Sequence, residues 1–180
     1  MHGLRSALGI SNATINILDD GHGNDPVSVV NAAISEYEKD TSIYDRVYCI
    51  FDKDGHANYA QALQLVQNHA LAKNKILFAA NSVPCFEVWL LLHYSYTTQA
   101  YVKSGKKSPC DCLISDLKKK GQIPNYEKNH KGIYDLVGDR TDTAIRHAKM
   151  LSSHNTAVNT DNPSTKMHGL VTYLKSIAPK

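Results

Sequence analysis

The sequence predicts an α/β fold with a parallel sheet flanked by helices and a helical C-terminal portion. Three observations carry that expectation. Short apolar runs rich in β-branched and aromatic residues stand at Ala13 to Leu18, Arg46 to Phe51 and Lys75 to Ala80, each bounded by turn signals, and read as buried strands. Helical stripes separate them, and strands alternating with helices of this length build parallel βαβ units. Beyond Ala80 the pattern is helical.

Asp25 is placed to cap the first long helix with Pro26 at its opening position, and Val30, Ala33, Ile34 and Tyr37 follow at i, i+3, i+4 and i+7. Tyr59, Leu63, Val66 and Ala70 form the stripe between the second and third strands. Ahead of these, Leu4, Leu8 and a stop at Gly9 resemble the last turns of a helix. Later helices are expected over Cys85 to Tyr94, about Pro109 to Lys120, Thr141 to Ser153 and Thr165 to Ile177, the last behind the start signal Asn162-Pro163-Ser164-Thr165. Lys103 to Pro109 and Gly121 to Gly132 read as loops. The 180 residues, 42% of them hydrophobic, suffice for one domain over 1–180, with 97–180 as its helical extension.

The longest apolar run, Val88 to Leu92, is five residues, and Met1 to Gly9 has no signal-peptide character, so a soluble, cytoplasmic protein with no membrane partner is expected. Cys49 and Cys85 lie in apolar segments and read as free thiols. Cys110-Asp111-Cys112 has the wrong spacing for a zinc knuckle. No Gly-Lys-Ser/Thr loop is present, which excludes a nucleoside triphosphatase of the Walker type. The net charge of +3 hides an asymmetry: Lys103 to Lys131 carries eight lysines against three acids, leaving the remainder at −2. Such a stretch is either a solvated face or a track for a phosphate backbone.

The chemistry-bearing residues follow the second strand. Asp52 and Asp54 flank Lys53 at its carboxyl end, the edge at which open parallel sheets bind ligands. Two carboxylates at i and i+2 of an extended segment point the same way and can share a hard cation. Aspartates in this place also serve as helix caps and turn formers, and Gly55 suits that reading. Glu87 is the only charge within Cys85 to Leu92; it either faces water or is held at a site by a cation. His56, directly after Asp54-Gly55, is placed to contact a phosphate or act as an auxiliary acid, ahead of His22 and His93.

Val47 to His56 (VYCIFDKDGH), Asn81 to Tyr94 (NSVPCFEVWLLLHY) and Asn162 to Leu174 (NPSTKMHGLVTYL) resemble, in order and spacing, the diagnostic blocks of RloB-like proteins of the TOPRIM (topoisomerase-primase) superfamily, kin of the overcoming-lysogenization-defect nucleases. The resemblance implies a TOPRIM-like sheet and Mg²⁺- or Mn²⁺-dependent phosphodiester hydrolysis. Asp52, Asp54 and Glu87 would be the metal ligands, and Lys53, Lys106 and Lys107 would neutralise the nucleic-acid backbone, DNA or RNA. It also implies a prokaryotic anti-phage, abortive-infection or restriction-associated setting, an ABC-type ATPase partner, and a strand with a Glu-Gly turn that nothing upstream of Gly3 supplies. The expected consequences are either an edge paired with a second copy of the chain or a marginally stable protein with an exposed apolar groove, and little nuclease activity of the chain alone. The alternative is a catalytically incomplete interaction subunit of such a complex. A receiver-like phosphoacceptor with Asp52 as acceptor fits less well, because it has no place for Pro84-Cys85-Phe86-Glu87.

Overall fold

Asp25 caps helix α2 (Pro26–Lys39) as its sequence predicts: the carboxylate accepts from the backbone amides of Val27 and Ser28, and the Ser28 hydroxyl and amide together with the Asn58 side chain hold its pKa down to about 2. The predicted stripe of Val30, Ala33, Ile34 and Tyr37 is buried. Asp25→Ala therefore lowers the melting temperature and Asp25→Asn preserves most of it, because Asn still offers the cap oxygen; equal melting of all three proteins would show that the cap is idle. The computed structural model describes residues 2–10, 17, 25–120, 123–128, 130 and 132–179. The expected strand Ala13 to Leu18 lies outside the described residues except for Ile17, and His22 lies outside them too.

Helix α1 (His2–Ala7) ends as expected before Gly9, whose φ of +59° suits a residue without Cβ. Strand β1 (Val47–Cys49) is followed by α3 (Tyr59–Asn68), the one-turn α4 (Ala70–Lys73) and β2 (Leu77–Ala79). β1 and β2 pair in parallel, Val47 opposite Leu77 and Cys49 opposite Ala79. Pairing continues past both strands: Ala80 donates to Cys49, Ser82 to Phe51, Lys53 to Ser82 and Asp54 to Pro84. The aspartates are thus tied, residue by residue, to the segment that leads into Glu87.

Strand β3 (Ser82–Val83) pairs antiparallel with β4 (Ser164–Thr165). This corrects the expected helix start, since α9 runs Met167–Ile177 and Ser164 and Thr165 are extended. Helix α5 (Glu87–Leu92) is shorter than the apolar pattern suggests, and α6 (Pro109–Lys120) has the expected bounds. The short α7 (Ile133–Val137) and a 3₁₀ turn over Gly138–Arg140 were not expected, and α8 (Thr141–Val158) runs five residues beyond Ser153.

Two buried clusters fill the interior. The smaller gathers Val30 and Ile34 of α2, Cys49 and Phe51, Tyr59 and Val66 of α3, and Leu77. The larger surrounds α5, all six residues of which are buried, and takes Leu113 and Leu117 from α6, Leu151 from α8 and Leu170 and Leu174 from α9. The four cysteines are free, as expected, and burial pushes the Cys49 thiol up to about 12. The chain is a mixed α/β protein with a small parallel sheet flanked by helices and a helical C-terminal portion. No described helix is long and apolar enough to cross a membrane.

Candidate active site

The backbone bonds that run from Cys49 to Asp54 place Asp52 beside the turn that opens α5. A cavity of about 270 Å³ lies there, lined by Asp52, Phe86, Glu87, Leu90, Tyr126, Lys128, His130 and Ile133. Asp52 and Glu87, singled out from the sequence on different elements, face one pocket.

Burial raises the Asp52 pKa to about 6, and the nearby charges of Glu87 and Asp54 add to it, against the Phe86 amide and the Lys128 ammonium, which favour the ionised form. Glu87 is only 4% exposed, and its Oε1 accepts a 3.0 Å hydrogen bond from the hydroxyl of Tyr126. Burial first, and then the Glu87 charge, push the Tyr126 hydroxyl far above its ordinary range, so it is a permanent donor. Partial burial works against the Lys128 ammonium, but the nearby charges, that of Glu87 foremost, outweigh it and raise its pKa. The Cys85 thiol is pushed far up by the neighbouring Cys110 thiol, by burial and by Glu87.

Asp54 is next to this pocket without lining it. It is exposed, has a φ of +32°, and accepts a 3.3 Å hydrogen bond from Cys110 Sγ at the start of α6. His56 is exposed and its backbone amide closes a turn onto Lys53. Lys53 points elsewhere: its Nζ is 2.9 Å from Asp161 Oδ2 and lies over the Tyr59 ring. Lys106 is exposed in the turn closed by Ser104 and Lys107, and Lys107 donates to Ser115 Oγ. His93 is a core residue, bonded through Nδ1 to the Trp89 carbonyl and lowered by burial to about 4.

The described lysines of the basic stretch are spread along α6 and the loops around it. Lys107 and Lys128 both act on the carboxyl of Asp111, in the first turn of α6, whereas Lys118, Lys119 and Lys120 stand at its other end, roughly 10 to 14 Å further along the helix axis. Lys131 lies outside the described residues.

Tyr126 and His130 were missed as site residues by sequence reading, and Lys128 was read only as one lysine of the basic stretch. They belong to a connection with no hydrophobic period, and the only hint is the alternation of chemistry-bearing side chains in Tyr126-Glu127-Lys128-Asn129-His130.

Among the described residues no group of three or more His, Cys, Asp or Glu side chains is gathered closely enough to hold a metal ion. The pocket offers instead two carboxylates as hard oxygen donors. Mg²⁺ is commonly bound by one or two carboxylates, with water and phosphate oxygens completing its shell, so the donor set fits such an ion and not a closed protein cage.

A family model described as RloB-like protein matches residues 2–174. The chain belongs to the RloB-like family. No curated protein and no solved structure matches it. The matched span of this RloB-like chain contains every pocket residue and all three sequence blocks, so Asp52 and Glu87 line one pocket inside the matched portion.

Proposed function

We propose that the chain is a metal-dependent nuclease domain that hydrolyses nucleic-acid phosphodiesters in a TOPRIM-like active site. The observation that carries this reading is the pairing of Asp52 and Glu87 in one pocket with Lys128 and His130 beside them. Burial and the Glu87 charge raise the cost of ionising Asp52, and a divalent cation held in the pocket would offset that cost. The bound Mg²⁺ or Mn²⁺ supplies Lewis-acid polarisation of a phosphoryl oxygen and a more acidic water.

Asp52 and Glu87 hold the ion, with Asp54 beyond them as a further negative charge next to Asp52. Lys128, exposed at the pocket, neutralises a phosphate oxygen, and the four-carbon lysine stem lets its ammonium follow the backbone. Phe86, Leu90 and Ile133 form the apolar wall that limits water to the polar side. The resemblance supports a role in prokaryotic anti-phage or restriction-associated defence, with an ABC-type ATPase as the partner that gates cleavage.

The test is cleavage of matched DNA and RNA with Mg²⁺ or Mn²⁺, with EDTA as the control. A second reading, an interaction subunit without catalysis, is favoured by the presence of two rather than three gathered ligands among the described residues. Binding of nucleic acid or ATPase without metal-dependent cleavage, even when the partner is added, would establish it.

Lys128→Ala should weaken nucleic-acid binding at every sequence and reduce the slope of log affinity against log salt by about one, as expected for the loss of one phosphate contact. Lys118→Ala, at the far end of α6, should leave the slope unchanged. Equal slopes for all three proteins would remove Lys128 from the backbone contacts.

A further inference from the structure

Tyr126 contributes to the pocket differently from its neighbours. It is 4% exposed, as is Glu87, and the bond between them is buried. Its ring and Ile123 belong to the same core as Leu113 and Leu117 of α6, and its backbone amide closes a turn onto the Ile123 carbonyl. The hydroxyl is thereby fixed in space by packing, and it engages one oxygen of Glu87.

A carboxylate can bind a cation through one oxygen or through both. Two-oxygen binding requires both oxygens to swing toward the ion together. With Oε1 tied to Tyr126, Glu87 can turn only Oε2 freely into the pocket. Mg²⁺ and Mn²⁺ suit six-coordinate shells built from single oxygens, whereas Ca²⁺ takes larger, looser shells that commonly include a two-oxygen carboxylate. We propose that Tyr126 is a positioning residue that restricts Glu87 to one-oxygen coordination and thereby sets the pocket's preference for Mg²⁺ or Mn²⁺ over Ca²⁺. The inference rests on the cation-binding reading above and deepens it.

The experiment is a Mn²⁺ titration of the full chain followed by electron paramagnetic resonance, with Mg²⁺ and Ca²⁺ as competitors and no nucleic acid present. Tyr126→Phe retains the ring and removes the hydroxyl. It should weaken Mn²⁺ and Mg²⁺ binding by roughly tenfold, within the range usual for losing a hydrogen bond to a metal ligand. Ca²⁺ binding should fall less, so that the Ca²⁺-to-Mg²⁺ affinity ratio rises. Tyr126→Met, which refills the core without a hydroxyl, should give the same change in ratio if the Phe variant folds poorly, with folding monitored through the near-ultraviolet signal of Trp89. Glu87→Gln should lose Mn²⁺ binding altogether, locating the ion. An unchanged ratio in the Tyr126 variants alongside lost binding in Glu87→Gln overturns the inference and leaves the cation site standing. Failure of the unaltered chain to bind Mn²⁺ overturns both.

Discussion

Glu87→Gln should reduce metal-dependent cleavage by more than about 100-fold, exceeding the 10- to 100-fold range typical of residues that merely support a metal ligand. Glutamine keeps the size of the side chain and can still accept from Tyr126, so α5 and its core contacts remain. What it loses is the negative charge and one hard oxygen. Asp52→Asn should behave alike, because Asp52 is the second carboxylate of the cavity. Asp54→Asn should cost less, since Asp54 lies outside the lining and already accepts from Cys110. The comparison is made at saturating Mn²⁺ with melting temperatures measured in parallel. Equal cleavage by Glu87→Gln and the unaltered chain would dismiss Glu87 as a ligand; equal losses at Asp52, Asp54 and Glu87 would show that all three reach the ion.

The parts of the structure legible in the sequence were those fixed by neighbouring residues. Asp25-Pro26 and the stripe from Val30 to Tyr37 carry their own cap, start and period, and the helix forms where they say. Asp52 was legible because a buried strand must end, and its carboxyl end is where a parallel sheet exposes side chains to a ligand. Glu87 was legible because a lone charge among apolar residues demands a partner. Ser164-Thr165 shows the limit of local reading. Thr165 Oγ1 does accept from the Met167 amide, as a capping residue should, yet the backbone there is extended because Ser82-Val83, far earlier in the chain, offers it a strand partner. Tyr126 and His130, and the place of Lys128 beside them, were illegible for a related reason. Their connection acquires its position from Ile123 and Tyr126 packing into the α5 and α6 core, a long-range event with no period in the sequence.

The burial of Asp52, and after it the Glu87 charge, should cost the cation-free protein stability in a defined pH window. The Asp52 carboxyl titrates near 3.8 when free in an unfolded chain and at about 6 in the folded protein. Below about pH 4 both states carry the proton and Asp52 contributes nothing to the pH dependence. As pH rises from about 4 to about 6 the unfolded chain loses the proton while the folded protein keeps it, so the folded state binds more protons and stability falls. Above about 6 both are ionised and the loss is complete, up to about 3 kcal/mol at roughly 1.4 kcal/mol per pKa unit. Asp25, held at about 2, acts in the opposite sense and at lower pH. It gives stability that is present above about 4 and disappears toward pH 2. A comparison with Asp52→Asn isolates the Asp52 contribution, since Asp25 is common to both proteins. In EDTA, the stability advantage of Asp52→Asn should grow between about pH 4 and 6 and stay level above it. Mg²⁺ at pH 7 should then stabilise the unaltered chain and leave Asp52→Asn nearly unmoved, because binding to the folded state alone raises stability by mass action. Denaturant titrations across pH measure both effects. A difference between the two proteins that does not change with pH would mean that Asp52 ionises as freely in the fold as in the unfolded chain, and that the pocket carries no strain for a cation to relieve.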